Sequence, residues 1–202
     1  MKHFFAVSVL LLAAVPSFQA ATGADGPPPP PIATKFLDLF ERLRTAQEKS
    51  AEGEHKQVAF QLSETEVNDY MRYALKTTPR PGLDSVTVKF FPKDYVSTFT
   101  RVDFDAVERW KPGTIPAVLR PILKGKKAIW IDCRIHVLDS KMTFTVEKAR
   151  YEDMALPAFF IEKMIHIVAA RQPEKYDTSK PMPLPFGLSK LAISEHLMKG
   201  SN

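Results

Sequence analysis

The sequence predicts an α+β fold in which a twisted antiparallel sheet packs on apolar helices. Residues 86–104 and 128–151 alternate apolar and polar side chains on both sides of a short turn, the pattern of antiparallel hairpins. Residues 32–49, 63–77 and 158–171 instead carry apolar side chains at helical spacing. No internal repeat and no second core-forming stretch stands out. The 202 residues, 45% hydrophobic and 25% charged, are therefore read as one domain behind an N-terminal leader.

Lys2 and His3 open the chain, an apolar run follows over residues 4–15, and Pro16 breaks it. Small residues come next: Ala20, Ala21, Thr22, Gly23 and Ala24. This is the order of a secretory signal of bacterial type, so the expected address is the periplasm or the cell exterior. An uncleaved anchor or a buried helix is the other reading of the run, but it falls short of the ~20 apolar residues that a membrane span needs. Cleavage after Ala20 would put Phe18 where a small residue is preferred, and cleavage after Gly23 or Ala24 fits better. No cysteine lies near the cut to carry a lipid. The expected map is a signal at 1–24 (cut between 20 and 24), a proline-rich linker at 25–31 and a single domain at 32–202. Five successive prolines, Pro27 to Pro31, predict a stiff polyproline II spacer.

The first helix places Phe36, Leu39, Phe40 and Leu43 on one face, with Lys35, Glu41, Arg42 and Arg44 off it. Val58, Phe60 and Leu62 then alternate as a short strand. Ser63 and Glu66 form an S-x-x-E capping box ahead of a second helix, striped by Val67, Tyr70, Met71, Ala74 and Leu75 and ended by Pro79 and Pro81. The hairpins turn at Pro92-Lys93-Asp94 and Asp139-Ser140-Lys141. Between them, residues 105–110 read as one helical turn. Thr114 would cap a further helix with Pro116 in its first turn, which Pro121 should kink or shorten. The helix at 158–171 is apolar over more than one stripe, so it is buried on several sides or covers something apolar. A proline-rich crossing at 173–185 leads to a last short strand at 186–193.

The net charge of +5 is spread along the chain, which fits a solvated, mildly basic surface. Attraction to an anionic membrane or wall polymer is its functional version. No nucleic-acid motif is present, and no nucleic-acid partner is expected. The single cysteine, Cys133, permits no intramolecular disulfide.

Cys133 and His136 suggest a thiol–imidazole pair, but their odd spacing in a strand puts them on opposite faces of the sheet. Cys133 is read as core and His136 as solvent-facing. Glu162 and His166 sit four apart on a helix, an ordinary stabilising pair or half of a metal site that lacks further ligands. Neither H-E-x-x-H nor G-x-S-x-G occurs, and Gly125-Lys126 lacks the rest of a phosphate loop. Asp103 and Asp105 are read as ending a strand and capping the short helix after it. The sequence therefore names no catalytic residue, metal site or cofactor, and a non-enzymatic role is expected.

What remains is a surplus of apolar side chains. Val86, Val88, Phe90, Ile131, Cys133, Ile135 and Val137 would face the helices, filling a core or lining a cleft for an acyl chain. Periodicity does not separate the two.

The string Phe60-Gln61-Leu62-Ser63-Glu64-Thr65-Glu66-Val67-Asn68-Asp69-Tyr70-Met71 resembles the opening of the YpmS-like and LmeA-like bacterial envelope proteins, which are related to tubular lipid-binding domains. The later order is similar, with two strand-turn-strand units, Met154-Ala155-Leu156-Pro157 before an apolar helix, and Pro183-Leu184-Pro185-Phe186-Gly187-Leu188 before a short strand. The resemblance spans about residues 58–193. It implies a half-tube, a curved sheet wrapped on helices around an apolar groove, and non-catalytic binding of a lipid or other hydrophobic ligand. Ile131, Phe160, Met164 and Val168 are the expected lining contacts. The alternative is a structural or adaptor protein of the envelope, with a filled core and a protein partner. Two departures bear on closure of a tube. The chain ends on Glu195-His196-Leu197-Met198-Lys199-Gly200 short of a full closing strand, and the segment at 114–123 is inserted. Asn68 is expected to hydrogen-bond backbone of the following sheet.

Overall fold

A computed structural model describes residues 29–54, 56–110, 112–113, 115, 117, 120–159, 161–162 and 180–202. The signal, most of the linker, Phe160, Met164, Val168 and the Glu162–His166 pair fall wholly or partly outside the described residues.

Helix α1 (Pro31–Ala51) starts on a proline, whose missing N–H costs nothing in a first turn and whose φ suits a helix. Pro30 before it is extended, with φ −62° and ψ 155°, so Pro31 belongs to the helix and the polyproline geometry stops one residue earlier. The face bearing Phe36, Leu39 and Leu43 is buried. Strand β1 (Ala59–Ser63) leads into helix α2 (Glu64–Thr77). The capping box is complete: the Glu66 N–H donates to Ser63 Oγ at 3.2 Å, and the Ser63 N–H donates to Glu66 Oε2 at 2.7 Å. Such a cap contributes about 1 kcal/mol.

Strands β2 (Leu83–Phe91), β3 (Tyr95–Asp103), β4 (Lys126–Leu138), β5 (Lys141–Tyr151) and β6 (Met154–Leu156) form an antiparallel sheet in that order. Strand β7 (Met182–Pro183) pairs with the start of β5 as its sixth strand. The sheet is open, because β2 and β6 remain at opposite ends of the order. Its register places Phe90, Val96 and Cys133 in one row across β2, β3 and β4, with Val88, Thr98 and Ile131 in the next. These rows make the inner face. A bulge at Glu147 sets Asp132 opposite Lys148 but Cys133 opposite Val146, and so keeps both ends of β5 in phase with that face.

Helix α3 (Phe104–Trp110) follows β3 directly. Asp103 Oδ1 accepts the Ala106 N–H at 2.9 Å, the capping role read for it. The helix expected at 114–123 is not what the described residues of that stretch form. They are turns, bends and a 3-10 residue at Ala117, with the Arg120 N–H donating to the Ala117 carbonyl at 3.3 Å. Pro121 has no N–H to continue a helical ladder. Glu108 holds the stretch instead, accepting from the backbone of Gly113 and Ile115 and from Arg120.

The C-terminus also departs from expectation. A 3-10 turn (Pro185–Gly187) precedes β8 (Lys190–Ser194), and a tight turn at Glu195-His196 leads into β9 (Leu197–Ser201). Strand β9 is a full strand, paired with β8 on one side and β1 on the other in a second, three-stranded sheet. It closes that sheet where the sequence reading has the chain stopping short.

The two sheets meet at the edge of β2. Asn68 Oδ1 accepts the Val88 N–H at 2.8 Å, and Asn68 Nδ2 donates to the Val88 carbonyl at 2.9 Å, as a neighbouring strand would. Glu64 Oε2 accepts the Phe90 N–H at 2.7 Å, and the His196 N–H donates to the Phe90 carbonyl at 3.2 Å. An open strand edge is thereby satisfied by a helix and a turn. One core runs from α1 and α2 across β2–β5 to Ile193 and Met198 of the small sheet.

Candidate functional site

Four parts of the chain converge on one apolar cleft. Helix α1 supplies Phe36, Leu39, Phe40 and Leu43 at helical spacing, and α2 supplies Val67 and Tyr70. Strand β1 contributes Phe60 and Leu62. The C-terminal region contributes Pro185, Phe186, Leu188, Leu191 and Met198. The cleft is narrow as folded: its cavity volume is about 30 Å³, room for a few waters at most.

Aromatic contacts set the walls. The Phe36 and Tyr70 rings stack at 4.4 Å with planes 4° apart, and Phe40 meets Tyr70 edge-on at 5.7 Å. Phe40 also stacks on Phe186 at 5.5 Å. Each such pair adds about 0.5–1.5 kcal/mol beyond burial. Phe186 adopts φ 55°, a left-handed conformation costly for an aromatic residue, at the position that lets it face Phe40. Gly200 matters for the same wall. It pairs with Phe60, whose ring occupies the space a side chain at 200 would need.

Among the described lining residues, Tyr70 alone carries a side-chain hydroxyl. The residue is 3% exposed, and its hydroxyl has no hydrogen-bond partner among the described residues. Burial, with a smaller contribution from Tyr73, pushes the phenol up to about 12, so it is a neutral O–H donor throughout the physiological range.

Of the expected lining residues, Ile131 is half-buried on the inner face beside Val146, Ala149 and Ile161. That group lies away from the cleft around Tyr70, and the other three expected contacts lie outside the described residues. Next to Ile131, Thr98 is 1% exposed, and its hydroxyl also has no partner among the described residues.

Cys133 is 1% exposed, and burial, then Asp132 and Glu147, raise its thiol to about 12, which leaves it a protonated core residue. His136 is exposed on the opposite face of β4. No cluster of three or more His, Cys, Asp or Glu able to hold a metal occurs among the described residues. No helix among them is long and apolar enough to cross a membrane.

The outer face of the large sheet carries cross-strand pairs that the sequence reading does not single out. Phe99 packs on Trp130 at 4.9 Å, and the Arg150 guanidinium lies over Trp130 at 4.6 Å. Arg134 lies over Tyr95 at 5.5 Å and bonds Glu147 at 2.7 Å. These are stabilising sheet pairs.

No protein-family model matches the chain, and no curated protein matches it. Among solved structures, one described as the crystal structure of lipopolysaccharide binding protein matches with a TM-score of 0.24 and 10% identity, over 71% of this chain. This chain spans 39% of the length of that one. A likeness of that degree says nothing of a ligand, and the reading below rests on the cleft.

Proposed function

We propose that this protein is an exported, non-catalytic envelope protein that binds a lipid or lipid-like hydrophobe. The cleft between α1, α2 and the small sheet carries the reading. Among the described residues, twelve of its thirteen lining side chains are wholly apolar, so what it offers a ligand is apolar contact. The secretory order of residues 1–24 and the resemblance to the YpmS-like and LmeA-like envelope proteins support it, and together they favour a periplasmic or secreted address.

Native mass spectrometry of the mature chain from an envelope fraction tests the reading. The expected result is a discrete added mass that organic solvent releases as lipid. A bare chain that also fails to take up an apolar fluorescent dye would overturn it. The half-buried aromatic pairs on the outer face would then favour an adaptor that meets a protein partner, detectable by cross-linking.

A further inference from the structure

We infer that the outer face of the large sheet docks on an anionic phospholipid bilayer. Cations scattered along the sequence are gathered there by strand alternation. Lys89, Arg101, Arg134, Lys141, Lys148 and Arg150 lie on the face of β2–β5 opposite the core, with Asp132 and Glu147 as the acids among them. Both acids are already engaged: Glu147 accepts from Arg134, and Asp132 from the Tyr95 hydroxyl. Lys89, Arg101, Lys141, Lys148 and Arg150 are exposed and have no acidic partner among the described residues. Residues 31–80, which carry both long helices, instead hold eight basic and eight acidic side chains and present no net charge.

Charge alone would suit any polyanion, and the apolar side chains on the same face single out a bilayer. Phe91 and Leu138, 38% and 75% exposed, end β2 and β4 at the edge of the sheet where the β2–β3 and β4–β5 turns both lie. Lys141 is opposite Leu138 in register, and Tyr95, opposite Phe91, lies under Arg134. Aromatic rings beside long cationic side chains suit the headgroup layer, where cations meet phosphate and the apolar groups reach the acyl boundary. An exposed leucine gains nothing from a soluble polyanion.

The test is co-sedimentation of the full mature chain with large vesicles, either phosphatidylcholine alone or phosphatidylcholine mixed with phosphatidylglycerol. Binding is expected only to the anionic vesicles and should weaken with added salt, because exposed charges are screened. Each cation brought to such a surface is worth about fivefold in affinity, so Lys141→Gln with Lys148→Gln should weaken binding about 25-fold. Arg72→Gln with Lys76→Gln removes the same charge from the exposed face of α2 and should leave binding unchanged. Leu138→Ser should weaken binding while its salt dependence persists. All these positions are exposed, so the urea midpoint should hold in every variant. Equal binding to both vesicles, binding to neither, or an equal loss in the α2 variant would overturn the inference. So would unchanged binding in Leu138→Ser, which would assign the face to a soluble polyanion. Uptake of an apolar dye is expected to be the same in all these chains, so failure here leaves the hydrophobe reading standing.

Discussion

Asn68→Ala is the sharpest test of how the two sheets are joined. Wild-type Asn68 spans the N–H and carbonyl of Val88, a residue 0% exposed on the edge strand β2. Alanine leaves both backbone groups without partners, and a helix packed over the edge hinders water from replacing the amide. A buried unsatisfied group costs about 1–3 kcal/mol, and two groups on a partly wetted rim give a loss of about 2–4 kcal/mol. Urea unfolding would show this as a lower midpoint with an unchanged slope. Hydrogen exchange at the Val88 amide should accelerate, while the β3–β4 ladder keeps its protection. Asn68→Asp is the informative companion. It still accepts from the Val88 N–H but turns a carboxylate toward the Val88 carbonyl, so it should recover only part of the loss. A change within about 0.5 kcal/mol for Asn68→Ala, the range of ordinary surface substitutions, with Val88 exchange unaltered, would refute the claim that this side chain stands in for a strand.

Two further outcomes follow from the same contacts. A Cβ at Gly200 would lie 2.5 Å from Phe60 Cζ and 2.6 Å from Cε1, so Gly200→Ala must displace the Phe60 ring from the cleft wall. It should cost about 1–3 kcal/mol in urea unfolding and reduce dye uptake, and Phe60→Leu in the same chain should recover part of the stability. Burial alone would raise the Glu66 carboxyl, but hydrogen bonds from Lys35 and from the N–H and hydroxyl of Ser63 outweigh it and hold its pKa below the ordinary 4.5. A carboxylate with a lowered folded pKa stabilises the fold above its unfolded pKa, and the contribution is lost as pH falls through the folded value. The urea midpoint should therefore drop on acidification below 4.5, less steeply in Lys35→Met. An identical pH profile for the two chains would mean that Lys35 does not hold Glu66 in solution.

Contacts between residues near in sequence were legible from the residues alone. Ser63 and Glu66 are three apart, and any helix starting there brings them together. The turns at Lys93-Asp94 and Asp139-Ser140 are short enough that the alternation of their flanks dictates the pairing. Asn68 was legible as a backbone partner only in kind: an amide in the first turns of a helix seeks a backbone group, but Val88 as that group is a tertiary fact. The stretch at 114–123 misled because its apolar spacing suggested a helix, while its prolines and the hold of Glu108 on the surrounding backbone favour turns.

By itself the sequence determined the α+β class, the inward and outward faces of the long strands, the burial of Cys133 away from His136, and the caps at Ser63–Glu66 and Asp103. All of these follow from local spacing, where side-chain periodicity and short-range hydrogen bonds decide. Only the tertiary structure decided that Leu197–Ser201 pairs with Ala59–Ser63 from the far end of the chain. Five residues carry too little pattern to announce a partner so remote, and the pairing is favoured only once the intervening core has brought the two ends together. The cleft depends on that pairing, because β1 and β9 place Phe60 and Met198 opposite Phe36 and Phe40 of α1. Tyr70 reads in the sequence as one more apolar position on a helical stripe, and its unpaired hydroxyl exists only in the assembled fold.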